Sequence, residues 1–266
     1  MFRSVFFKTL YEKRAQTLFW SFGVIAMSVL MMSFYHSFQG GGFDEALKSL
    51  PKSFQGLVGD SASLKTVPGY VSQQVFALRI PLLTLIMGIM LFTGLLAGDE
   101  GNGTLQTLLA QPISRSRVFI EKFLAGLVIS LVICGATIIG VEIGLLMVHE
   151  HMSLLRLVQA VTGVWLLTVL FGTIGFTLGA VTGKRGLAGG VTGVVAFSTY
   201  LLTSFVPNVS GLASVEKFVS PFHYYNKPSI SVYGLNGENV LIMLGVIAVF
   251  LVISIIIFRK RDIYQQ

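Results

Sequence analysis

The sequence predicts an all-α, polytopic membrane protein with six transmembrane helices, and three observations predict it. Hydrophobic residues make up 53% of the 266-residue chain and charged residues only 12%, with a mean hydropathy of +0.78. A soluble domain of this length needs far more charge to cover its surface. Apolar runs long enough to cross a bilayer, which takes about 20 helical residues, recur at residues 18–35, 75–98, 123–148, 154–181, 187–206 and 240–258. The basic residues stand at the ends of these runs, so the net charge of +7 reads as membrane orientation and argues against nucleic acid as a partner. Residues 1–266 therefore read as one transmembrane domain whose first partner is the lipid bilayer. The single cysteine, Cys134, lies within an apolar run and leaves no intrachain disulfide.

The amino terminus has the positive start of a secretory signal. The run that follows is long enough to remain as a span and lacks a compact small-residue cleavage site, so Met1 is taken as the start of the working protein. Residues 2–14 place Phe2, Val5, Phe6 and Leu10 on one helical face and Arg3, Lys8 and Arg14 largely elsewhere, which predicts a short interfacial helix. Trp20 and Tyr35 mark the edges of the first span. In the connection at 36–75, Gly40, Gly41 and Gly42 break the chain, residues 43–50 fit a short helix, and Pro51 and Pro68 punctuate the remainder. About 40 residues without cysteine give little core, so no separate domain is expected there. The second span carries Arg79 and Pro81 near its outer end. Arg79 either extends its charge to the interface or lines a path through the membrane, and Pro81 falls in the first turns, where a missing N–H costs least.

Residues 99–122 follow, too polar to be a span. Asp99 and Glu100 lead, Gly103 and Thr104 open a stretch with Leu105, Leu108 and Leu109 at helical spacing, and Pro112 ends it before Arg115, Arg117 and Lys122. A helix beginning here has carboxylates near its free N–H groups and an apolar face three to four residues apart. It should lie at the surface, with its leucines toward lipid or the spans and Gln106, Thr107 and Gln111 outward. On spacing alone, an ordinary polar loop is the alternative.

The third span contains Gly126, Gly135, Gly140 and Gly144, small residues that let helices approach closely. Its one acid, Glu142, lies seven residues before His149, which places it at the interface or makes it a functional intramembrane acid. His149, Glu150, His151 and Met152 form the next turn. They offer ligands to a soft or borderline metal, but the two histidines do not share a helix face and no His-Glu-x-x-His pattern is present, so no metal site is assigned and binding at this turn stays open. Near the inner end of the fourth span, Gly175, Gly179 and Gly183 recur every four residues, a ridge for helix packing within the chain or across a dimer. The basic turn at 182–186 is not a phosphate-binding loop, because Arg185 follows Lys184 and Leu178 stands where its first glycine is required. A fifth span rich in Gly, Val and Thr leads to an aromatic outer segment, and the last span ends in Arg259, Lys260, Arg261 and Asp262.

Six spans put both termini on one side. That side receives Arg3, Lys8, Lys13, Arg14, Arg115, Arg117, Lys122, Lys184, Arg185, Arg259, Lys260 and Arg261; the other receives Lys48, Lys52, Lys65, Arg79, Arg156, Lys217 and Lys227. The bias predicts cytoplasmic termini and a cytoplasmic 99–122 segment in an inner or plasma membrane.

The ordered set Glu100, Gly103-Thr104, Leu108-Leu109, Pro112 and Arg115 resembles the cytoplasmic signature of permease subunits of ABC-2 type ATP-binding-cassette exporters, which follows their second span. Two further stretches are similar to that family: Ser220-Pro221-Phe222-His223-Tyr224, like the short helices that dip into the outer leaflet before the last span as a gate or re-entrant segment, and the basic ending at 259–262. An aromatic interface belt is the alternative for the former. The resemblance implies a second permease subunit, identical or homologous, and two cytoplasmic ABC ATPases that carry ATP and Mg, with no cofactor in this chain. It also implies that Asp99, Glu100, Gly103, Thr104, Leu105, Leu108, Leu109, Pro112 and Arg115 couple the permease to an ATPase. Export of a lipid, hydrophobic drug, peptide or related amphiphile is the implied activity; a noncatalytic scaffold or maturation subunit on the same fold is the rival. An intramembrane enzyme fits poorly, since neither a Ser-centred nucleophile elbow nor a metalloprotease motif is present.

Overall fold

The computed structural model describes residues 4–39, 64–205, 216, 219–226 and 229–261, and among them every regular element is helical. The expectations for 40–63, including the short helix at 43–50, and for Asp262 lie outside the described residues. Six helical stretches are long and apolar enough to cross a membrane: Val5–Gln39, Val67–Gly101, Arg115–Met147, Leu154–Thr182, Arg185–Ser204 and Gly237–Lys260.

Helix α1 (Val5–Ser33) starts at Ser4, whose hydroxyl accepts from Phe7 N at 3.4 Å, and runs unbroken. The separate interfacial helix expected at 2–14 is thus corrected: its described part and the first span are one rod, because no glycine or proline interrupts residues 4–22. At 1.5 Å per residue the rod is about 44 Å long, longer than a hydrocarbon core of about 30 Å. Helix α2 (Tyr35–Gln39) packs Tyr35 and Phe38 edge-on to Tyr70.

The second span is segmented. Helix α3 (Val67–Tyr70), capped by Thr66, runs into a π-helical stretch at Val71–Phe76; α4 (Arg79–Thr93) follows, then a second π-helical stretch at Gly94–Gly98 and the short α5 (Asp99–Gly101). Arg79 is half-buried, and its Nη1 donates to Gln74 O at 2.7 Å and to Gln74 Oε1 at 2.6 Å, tying it to the preceding π-helical stretch. Helix α6 (Thr104–Leu109) leads to α7 (Arg115–Met147), α8 (Leu154–Thr182) and α9 (Arg185–Phe205). Two short helices, α10 (Pro221–Asn226) and α11 (Ile230–Tyr233), precede α12 (Gly237–Lys260), whose Asn236 cap accepts from Glu238 N at 2.9 Å.

The second and fourth spans form the centre of the bundle, with 72% and 78% of their most apolar stretches buried; the first, fifth and sixth have only 17–22% buried and present wide apolar faces outward. Close approach is made by small residues, as expected where oily surfaces gain little from leaving lipid. A side chain on Gly140 would meet Ile25 O and the Ser28 Cβ at 2.8 Å, and one on Gly144 would enter Met32, so this pair seats α1 on α7. Phe92 lies against Gly126 of α7 and Gly172 of α8. It opens an aromatic cluster with Phe123, Phe176, Phe119 and Phe258, joining spans two, three, four and six at the end that carries the termini. Buried hydroxyls of Thr84, Thr173, Thr177 and Thr192 donate to carbonyls one turn back, which removes the cost of placing them in an apolar bundle.

At the opposite end, α7 closes through His149, whose φ of 58° is left-handed. His149 and His151 are exposed, and among the described residues no three His, Cys, Asp or Glu side chains cluster to hold a metal. Glu142 is half-buried within two turns of that end.

Candidate functional site

The signature is built outward from a buried turn. Gly94–Gly98 is π-helical and buried, a geometry that recurs at functional positions in membrane and soluble helices alike. The Arg185 side chain lies across this turn in ordinary contact: a Cβ on Gly94 would sit 3.6 Å from its guanidinium carbon, and one on Gly98 3.5 Å from its Cδ. The chain then turns through Gly103, at a φ of +72° that glycine adopts without a Cβ clash. Thr104 Oγ1 donates back to Asp99 O at 3.1 Å, and Thr107 Oγ1 to Gly103 O at 3.4 Å, locking α6 to the turn before it.

Leu105 and Leu108 of α6 are buried and Leu109 is partly so, all three packed into the core of the spans. Thr107, Gln111 and Pro112 are exposed, whereas Gln106 is half-buried and only partly meets the outward placement expected of it. Ser114 then caps α7, accepting from Arg117 N at 3.3 Å.

The charges are arranged differently from the helix-cap expectation. Gly103 occupies the cap of α6 with no side-chain cap bond, while the two acids face other spans. Asp99 pairs with Lys122 of α7, and that ammonium, 2% exposed, also donates to Leu95 O at 2.7 Å. A charge buried this deeply persists only with such partners. Glu100 pairs with Arg261, just past α12, through both carboxylate oxygens, one contact being Nη1 to Oε2 at 3.1 Å. Arg261 Nη1 further donates to Ala180 O of α8 at 2.9 Å, and its own carbonyl accepts from Arg115 Nη1 at 2.6 Å. Arg115, expected to offer its fork outward, is half-buried and spends one donor on that carbonyl. One surface of the bundle therefore joins the ends of spans two, three, four and six.

The glycine ridge is used inside the chain. A Cβ on Gly175 would lie 2.9 Å from the Thr93 methyl, and one on Gly179 3.3 Å from the Ala97 Cβ, so α8 packs these positions on span two. Gly183 has a φ of +65°, and a side chain there would strike Arg261 and lie 2.6 Å from Glu100 Oε1.

At the other end, the aromatic segment folds as the short α10, and hydroxyls of the segment donate to backbone carbonyls of spans five and two. Ser220 Oγ donates to Thr199 O at 3.0 Å, and Tyr225 donates to Phe76 O at 2.7 Å. Pro221 opens α10, Phe222 stacks between Phe171 and Tyr200, and His223 Nδ1 lies 3.3 Å from Glu216 Oε1 with its ring against Tyr224. The segment separates two apolar hollows: a groove of about 100 Å³ between α4 and α9, which Phe222 lines, and a cavity of about 240 Å³ between α8, α9 and α12, lined also by Ser220, Pro221 and Tyr224.

No site role is expected from the sequence for Lys122, Arg185 or Arg261, although Arg261 stands in the basic ending at 259–262 that resembles the family's. A usable signal exists for Lys122, since a lysine seven residues into α7 that becomes buried requires an acid, and the turn before it offers both Asp99 and Glu100. No curated protein matches the chain. A family profile described as ABC-2 family transporter protein matches residues 3–263, nearly the whole sequence. Six apolar helices, a signature segment seated by leucines and ion pairs on their ends, and this match lead to one assignment: the chain is a multi-pass membrane protein that belongs to the ABC-2 transporter family.

Proposed function

We propose that the chain is the permease subunit of an ATP-driven exporter, working as one of two permeases with two cytoplasmic ABC ATPases. The observation that carries the reading is α6: a short helix held by Leu105 and Leu108 on its inner side, fixed to Asp99 and Gly103 by hydroxyl bonds, with Thr107 and the following Gln111 and Pro112 free at the surface. A rigid projection joined directly to two spans transmits a displacement that a flexible loop would absorb. The basic residues at this end favour its placement in the cytoplasm of an inner or plasma membrane, with both termini on that side.

In this reading ATP and Mg reside on the ATPases, and this chain supplies seating and transmission. The two apolar hollows beside α10 suit an amphiphile, such as a lipid, hydrophobic drug or peptide, and α10 acts as an outer gate between them. The outwardly apolar first and fifth spans supply surface for a second permease.

Native mass measurement of the complex in lipid nanodiscs tests the assembly. Two permeases with two ATPases are expected. A single permease that drives full ATP-dependent cargo movement with its ATPase rejects the paired arrangement, and a chain that binds no ABC ATPase rejects the reading as a whole.

A further inference from the structure

Chain connectivity links α6 only to the second and third spans. The side chains add a second route. Asp99 and Glu100 are adjacent, yet they diverge: Asp99 goes to Lys122 in the third span and Glu100 to Arg261 at the end of the sixth. Arg261 in turn binds Ala180 O at the end of the fourth span and accepts Arg115 at the start of the third. We propose that Arg261 is a positioning residue that carries displacement of the coupling segment to the fourth and sixth spans, so that all four spans meeting there move as one body. This inference rests on the coupling role of α6 proposed above.

Three features support it. The pair is bidentate, which fixes orientation as well as distance; a lysine would supply a point charge and not a fork. Its environment is shielded, the side chains of Arg261 and Glu100 being 22% and 12% exposed. Phe258, fully buried one turn before, stacks on Phe119, and Phe119 on Phe176, so the pair lies over apolar protein where water competes poorly. Finally, Gly183 leaves the space the pair needs: a Cβ there would enter both partners. Arg261 is thus held from α5, α7 and α8 at once, and a shift of Glu100 that kept the bidentate geometry would displace the end of α12 with it.

Hydrogen exchange on the permease–ATPase complex in nanodiscs, with and without ATP and vanadate, reads this without knowledge of the cargo. In the unaltered complex, trapping should change exchange by about fivefold both in residues 99–111 and in residues 255–261. Arg261→Ala should keep the first response and reduce the second below about twofold, and Arg261→Lys should give an intermediate second response. Glu100→Gln, nearly the same shape as the native residue and compatible with the Arg261 bond to Ala180, should behave as Arg261→Ala does, and decides the matter if the alanine variant does not assemble. A normal 255–261 response in Glu100→Gln or Arg261→Ala overturns the inference and leaves the coupling role intact. So does an unaltered complex that responds only in 99–111. An unaltered complex that responds in neither segment overturns both.

Discussion

Gly183 and Glu100 occupy one small space: a Cβ built on the glycine would lie 2.6 Å from the Glu100 Oε1, and the glycine itself holds a left-handed φ of +65°. The residue that ends α8 is therefore constrained by a carboxylate 83 positions earlier in the chain. Gly183→Ala faces both penalties. The backbone alone should cost about 1–3 kcal/mol, and the displaced carboxylate leaves Arg261 with a weakened partner. Thermal unfolding in nanodiscs should show the loss, and Gly186→Ala, where nothing lies within 4 Å, should be near neutral.

The buried pair Asp99–Lys122 calls for a different comparison. Removing one partner strands a charge, so Asp99→Ala should destabilise by about 3–5 kcal/mol if the ammonium stays charged, less to the extent that Asp99, 27% exposed, is already solvated. Lys122→Met removes the charge that needs pairing, and should be milder. The double variant Asp99→Ala/Lys122→Met should recover most of the loss from Asp99→Ala, and a double-mutant cycle on thermal unfolding measures the coupling. Strict additivity of the two single changes would show that the pair contributes nothing.

These two sites show which part of the architecture the sequence discloses. The all-α class and six apolar helices follow from hydropathy because a bilayer imposes length and composition on every span. The leucines of α6 were legible for the same reason, as an apolar face at helical spacing. The partners of Glu100 and Arg115 were not, because these pairings are long-range: Glu100 meets a residue 161 positions later, and no local period encodes that. The start of α1 is continuous with the first span because amphipathic patterning marks a change of environment, not a break in the backbone, and no breaker residue lies there. The glycine ridge had two readings by sequence, and packing on Thr93 and Ala97 accounts for Gly175 and Gly179 within the chain.

That assignment of the ridge is testable. Gly175→Val should push Thr93 and loosen α8 from span two, lowering stability, while the number of permeases in the complex falls only in step with folded protein. A selective loss of the second permease at unchanged thermal stability would return the ridge to an interface between subunits.

Sidedness follows from accessibility to an impermeant thiol reagent in a background where buried Cys134 is replaced by Ala. His151→Cys, exposed in the turn after α7, should label in intact cells; Gln111→Cys, exposed after α6, should label only once the membrane is opened. The reverse pattern would place the signature outside and rule out a cytoplasmic ATPase at α6.

The last prediction separates seating from docking on a single helix. Leu108 and Thr107 are neighbours in sequence on different faces of α6: Leu108 is 8% exposed and packed into the core, whereas Thr107 is open to solvent and bonds to the turn behind it. Leu108→Asp puts a carboxylate among apolar side chains with no cation assigned to it, a desolvation cost of about several kcal/mol, so thermal stability should fall sharply and ATPase binding should fail as a consequence. Thr107→Asp leaves the inner face intact, and its stability should remain within about 0.5 kcal/mol of the unaltered protein. A new charge at a surface that must meet the ATPase closely should nevertheless weaken co-purification and uncouple ATP hydrolysis from movement of cargo. The contrast matters because loss of function in Leu108→Asp alone is explained by a damaged fold. If Thr107→Asp, and a bulkier Thr107→Trp beside it, retain ATPase in full stoichiometry with unaltered hydrolysis, α6 is a connector between two spans and its exposed face docks nothing.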